Sequence, residues 1–134
     1  MYFLRGDQSQ DAEKRNLFAF TARLTLVAGM TACPMLFFRH FDRILEPPQN
    51  ELPAEVDTSD LIILADYFRT IGPWIKARFG IVPTTTEYMQ KKLSFTETRW
   101  EMWKSNLQKL AQRSSSRTVR AGIGDILRIL EAIS

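Results

Sequence analysis

Between Leu61 and Phe79 the residues Leu61, Leu64, Ala65, Phe68, Ile71, Gly72, Ile75 and Phe79 recur at intervals of three and four. That spacing places them on one side of an α-helix, whereas a strand would scatter them over both faces. It is the cleanest apolar stripe in the chain and predicts a helix over 59–79. Gly72-Pro73 predicts a kink within it, because proline lacks a backbone donor and crowds the preceding turn. Thr58 or Ser59 is placed to cap its start, and Gly80 to end it.

The flanking segments show the same periodicity. In 11–28, Leu17, Phe20, Leu24, Val27 and Ala28 recur at helical spacing, while Phe18, Ala22 and Leu26 make the other sides apolar too. In 34–46, Phe37, Phe38, Phe41, Ile44 and Leu45 form one face opposite Arg39, Asp42, Arg43 and Glu46, with Pro34 tolerated at the helix start. In 95–113, Trp100, Trp103, Leu107, Leu110 and Ala111 share a sector of about 100°, which predicts a core role for both tryptophans. Glu101, Lys104, Ser105, Gln108 and Lys109 face away from that sector, and Ser94 with Glu97 has capping-box spacing. In 116–133, Val119, Ile123, Ile126, Leu127, Leu130 and Ile133 form a further stripe after the caps offered by the serines at 114–116. The expectation is an all-α, irregular bundle of about five helices in one domain, 1–134. Its length suffices to bury a core without disulfides or metal.

Composition excludes several classes of function. Hydrophobic residues make up 45% of the chain and charged residues 25%, which is globular rather than disordered. The single cysteine, Cys33, cannot form an internal disulfide and fits a reducing compartment, so the cytoplasm or nucleus is expected. The apolar run 17–38 approaches the length of a membrane span, but Arg23, three threonines, Gly29 and Pro34 interrupt it. No signal-peptide pattern opens the chain.

Catalytic chemistry finds no assembled set. Cys33 and the only histidine, His40, lie seven residues apart, which on a helix is about 10 Å and too far for a nucleophile–base pair. No second histidine or cysteine pair marks a metal site, "AGIGD" lacks the third glycine of a dinucleotide loop, and no cofactor is implied. Gly122 in that stretch reads as a close-packing position. Residues 91–134 carry nine Lys and Arg against four acids. Lys104, Lys109, Arg113, Arg117 and Arg120 cluster near the last turn, with Lys91 and Lys92 upstream. This supports only a weak, salt-sensitive contact with phosphates, so no specific nucleic-acid partner is expected.

Two sites remain. Phe37, Phe38, Phe41, Phe68 and Trp74 are candidates to line an apolar ligand pocket between helices. Arg23, a cation within the most apolar helix, must reach water along its stem, form a buried ion pair or contact a ligand anion.

Three stretches carry a resemblance: "NLFAFTARLTLVAGMTACPMLFFRHFDRILE", "DLIILADYFRTIGPWI" and "LSFTETRWEMWKSNLQKLA". With Arg99-Trp100 and Trp103 matching an Arg-Trp-x-x-Trp helix, and Asn16, Phe20, Ala22, Arg23 and Leu24 matching part of an earlier motif, roughly residues 15 to 112 resemble the C-terminal part of a family of uncharacterised fungal proteins, a domain of unknown function. The resemblance implies a fungal, intracellular, helical protein and supplies no activity. It also implies longer relatives whose N-terminal helices would cover surface that is bare here.

These readings favour a non-catalytic helical protein–protein interaction module. The contrasting expectation is an intracellular binder of a small apolar ligand. Because the first helix is apolar around most of its circumference, it is expected to keep an apolar patch or to self-associate, as a two-fold homodimer burying that helix.

Overall fold

A computed structural model describes residues 2–28, 33–47, 53, 56–81 and 93–133, with side chains from Ala12 in the first helix and from Pro34 in the second. Among them are five helices: α1 (Tyr2–Ala28), α2 (Cys33–Leu45), α3 (Thr58–Lys76), α4 (Glu97–Arg113) and α5 (Arg117–Ile133). The described residues contain no strand beyond a single bridge between Phe79 and Phe95. The all-α bundle expected from periodicity is what forms.

Packing runs as a circuit in which α3 touches α5, α5 touches α4, α4 touches α2, α2 touches α1, and α1 returns to α3. The interior is aromatic. Phe37 stacks on Tyr67 at 3.5 Å and meets Phe41 at 4.7 Å, and Trp103 lies 5.3 Å from Phe38 and 5.8 Å from Phe68. Edge-on pairs such as Phe37–Phe38, at 5.2 Å and 84°, add to the burial of the rings themselves. The α3–α5 contact is close at two glycines. A Cβ on Gly122 would sit 3.0 Å from Leu61 Cδ1, and one on Gly72 would sit 2.4 Å from Ile133 Cδ1. Gly122 therefore serves close packing, as its place in the sequence suggests.

Helix ends differ from the sequence reading in instructive ways. α3 is capped by Asp57, whose carboxylate accepts from Ser59 N–H, in place of the expected Thr58 or Ser59. α3 also runs through Pro73 but stops at Lys76. Phe79 leaves the helix to meet Trp100 edge-on at 5.8 Å, and Gly80, with φ at +81°, donates to the Phe95 carbonyl. Ser94 does not cap α4. The chain stays non-helical through buried Phe95, so the cap falls to Thr96, whose hydroxyl accepts from Arg99 N–H. Ser116 caps α5 as expected, accepting from Val119 N–H.

The apolar run 17–38 is divided between α1 and α2, and no described helix is long and apolar enough to cross a membrane. α1 begins nine residues before its expected start at 11. Its first ten residues show no apolar stripe, so periodicity gave no reason to extend it.

Candidate functional site

The face that α1 turns inward is not the one its apolar periodicity suggests. Phe18, Thr21, Ala22 and Thr25 are buried, whereas Leu17, Phe20 and Val27 are 47%, 56% and 87% exposed. Sterics explain the choice. Opposite α1 stand the bulky Phe37, Phe41 and Tyr67, with Phe18 meeting Phe37 at 5.7 Å and Phe41 at 5.4 Å. Small side chains must occupy the remaining positions for helices to approach at interior density. The two threonines can be buried because each hydroxyl donates within the helix, Thr21 to Phe18 O and Thr25 to Thr21 O, both at 2.9 Å.

Consequently Leu17, Phe20, half-buried Leu24 and Val27 form an outward seam with three- and four-residue spacing. This is the pattern that elsewhere lies between two helices. α1 itself is fixed by its other sides. Lys14 Nζ reaches Asp60 at 2.6 Å and Arg15 Nη2 reaches Asp66 at 2.7 Å, both on α3. The seam is therefore displayed on an anchored helix.

Arg23 lies beside this seam and is exposed, so of the expected alternatives it takes the one that reaches water and not the buried ion pair. It reaches solvent, so no desolvation has to be offset. The apolar-pocket expectation is corrected. Phe37, Phe38, Phe41 and Phe68 are each at most 1% exposed and packed ring to ring, so they fill the core, with Phe41 also edging a cleft beside His40. Trp74 is half-buried, lying 6.0 Å from Phe95 with the Arg78 guanidinium 3.8 Å over its ring.

The structural-core expectation holds for Trp100, Trp103, Leu107 and Leu110, all buried. The Arg-Trp-x-x-Trp segment also contains a polar latch that sequence reasoning missed. Arg99 Nε and Nη2 donate to Glu46 Oε1 and Oε2 at 2.5 and 3.1 Å, and Trp103 Nε1 donates to Glu46 Oε1 at 3.1 Å. The guanidinium lies between 5.2 and 5.6 Å from the rings of Phe38, Phe95 and Trp103. Asn106, also buried, donates to Leu45 O at 2.7 Å. Together these tie the end of α2 to α4. A two-pronged, partly desolvated carboxylate–guanidinium pair of this kind fixes the relative position of the two segments it joins.

The basic cluster loses a member. Lys104, expected to face away from the core, is 6% exposed and bridges Glu101 at 2.8 Å and Glu131 at 3.1 Å. The Glu101 hydrogen bond is the main reason its pKa is raised, with Glu131 adding to it against the cost of burial. Arg120 is engaged by Ser114 O at 2.9 Å, while Lys109, Arg113 and Arg117 are exposed. Lys91, Lys92 and the Cys33 side chain lie outside the described residues.

His40 borders a cleft of about 190 Å³ with Lys14, Phe41, Arg43, Ile44, Pro53, Val56, Asp57 and Asp60. Burial chiefly, then the nearby Lys14 and Arg43 charges, lower the imidazole pKa, while Asp60 opposes them. The cleft is smaller than the few hundred Å³ usual for a small-molecule site. Its Lys14 and Asp60 already neutralise each other. Among the described residues no three or more His, Cys, Asp or Glu side chains converge as metal ligands. Wider, more open depressions of about 470 and 400 Å³ lie beside exposed Ile62; among the described residues, the outward seam of α1 is an apolar stripe that packing inside the chain leaves uncovered. No family model, curated protein or solved structure matches the chain.

Proposed function

We propose that this chain is a helical protein–protein interaction module whose contact surface is the outer seam of α1. One observation carries the reading: Leu17, Phe20, Leu24 and Val27 form an ordered apolar stripe on a helix whose opposite face is anchored to α2 and α3. Single exposed apolar side chains are common on protein surfaces, but a contiguous stripe at helical spacing marks an interface. The geometry of a preformed helix favours reception of another helix, with the partner's side chains seated between those of the seam.

The test compares wild type with Phe20→Glu by size exclusion with light scattering, beside binding of a dye that reports exposed apolar surface. The wild-type chain should self-associate or bind the dye. Phe20→Glu should reduce that signal while leaving the thermal melt within a few degrees, since Phe20 contributes little to the core. A wild-type monomer that binds no dye would overturn the proposal.

A further inference from the structure

α1 is held to the bundle differently from its neighbours. Its packing partners are α2 and α3, and among its described side chains Phe18 is the one large apolar group that is buried, beside Thr21, Ala22 and Thr25. α3, by contrast, buries Leu61, Leu64, Tyr67, Phe68, Ile71 and Ile75. The rings of Phe38, Phe68, Phe95, Trp100 and Trp103 pack on one another in pairs to which α1 contributes no ring. An element with little buried apolar surface opens at a lower free energy than the domain as a whole.

The rest of the hold is polar. Lys14 reaches Asp60 and Arg15 reaches Asp66, and the first of these pairs lines the cleft that His40 borders. The imidazole stands against α1, 5.5 Å from the Phe18 ring and in one cleft with Lys14. Its own helix adds Phe41 at 4.8 Å and Arg43, and α3 adds Asp57 and Asp60. Asp57 already accepts from Ser59 N–H, and Asp60 already pairs with Lys14. A proton on His40 therefore adds a cation to Lys14 and Arg43, opposite acids that are both engaged. Lifting α1 takes away Lys14 and the Phe18 ring, returns the imidazolium to water and leaves Asp60 to face it.

We propose that α1 is a pH-sensitive strap: protonation of His40 undoes the Lys14–Asp60 clasp and releases α1 from α2 and α3, while the other four helices stay packed. The direction of proton linkage agrees. Burial first, then the Lys14 charge, hold the docked imidazole below its ordinary pKa of 6.5, with Asp60 opposing and Arg43 adding to the effect. The released state binds more protons, so release is disfavoured above pH 6.5 and grows as the pH falls below it. One proton changes that equilibrium by at most about ten-fold per pH unit. The device does not depend on what covers the outer seam.

Hydrogen exchange read by mass spectrometry, corrected for the intrinsic pH dependence of exchange, follows each helix in the full chain. From about pH 7.5 to about pH 5.5, protection of α1 should fall several-fold, up to about ten-fold, relative to the other helices. His40→Asn should abolish that fall and leave the chain folded, since His40 is exposed. His40 is also the only histidine, so its ring proton titrates as a single magnetic-resonance signal, and Lys14→Met should move that titration up toward 6.5. Three results would overturn the strap: α1 protection that does not change with pH, protection lost equally from all helices, or the same fall of α1 protection in His40→Asn. An imidazole titration that Lys14→Met leaves in place would separate His40 from the clasp and overturn it equally.

Discussion

Truncation of Trp103 to alanine probes the aromatic interior most sharply. Trp103 is 1% exposed and its indole lies within about 6 Å of the rings of Phe38, Phe68, Phe95 and Trp100. Removing a fully buried tryptophan costs about 3–5 kcal/mol, combining lost burial with the cavity left behind. The lost Nε1 donor adds less than a buried charged hydrogen bond would, because Glu46 keeps both Arg99 contacts. A loss of about 4 kcal/mol is therefore expected, a large share of the roughly 5–15 kcal/mol that holds a domain together. For a chain of this size that corresponds to a fall in Tm of about 10–20 °C. Trp103→Phe retains most of the ring packing and should cost only about 1–2 kcal/mol. Urea unfolding followed by circular dichroism, analysed with a common slope, measures both. A loss below about 1 kcal/mol for Trp103→Ala would show that the α2–α3–α4 aromatic interior does not carry the fold.

Glu46→Leu and Arg99→Met should each destabilise by about 2 kcal/mol by stranding a partly buried charge, while the double variant recovers part of the loss; urea melts of all four proteins measure the coupling, and strictly additive losses would deny the latch. Gly72→Val should cost about 1–3 kcal/mol because its side chain enters space held by Ile133, and an unchanged melt would mean that the end of α5 yields freely. The native state holds His40 below its ordinary pKa of 6.5, so the unfolded chain binds more protons and stability rises with pH through this region. Acidification from pH 7.5 to below 6.5 should therefore lower the Tm, mostly in the part of the range under 6.5, and His40→Asn should lessen that fall; a variant with the same pH profile as wild type would remove His40 as the cause.

The fold was largely legible because α2, α3, α4 and α5 each have one apolar face and one polar face, so periodicity alone says which side is buried. α1 broke that rule. With large apolar residues on several sides, its inward face was decided by the volume left beside Phe37, Phe41 and Tyr67, a property of the assembled neighbours and not of the helix. The latch was hidden for a related reason: Glu46 follows the last residue of α2 in line with its polar side, and Arg99 is 53 residues away in sequence. Lys104 escaped the periodicity because a lysine at the border of a stripe can lay its stem on apolar surface and still meet acids from two helices. The phenylalanines proposed for a ligand pocket illustrate the converse limit, since an aromatic cluster looks alike in sequence whether it encloses space or fills it.

Native mass spectrometry of the chain purified from its source organism, run side by side with Phe20→Glu, tests the central claim most directly. The interaction-module account predicts a bound polypeptide on the wild-type chain that is absent from the variant, with both chains equally folded. A co-purifying small molecule in place of a polypeptide, or the same bound species on both proteins, would contradict the assignment of the α1 seam as the working surface.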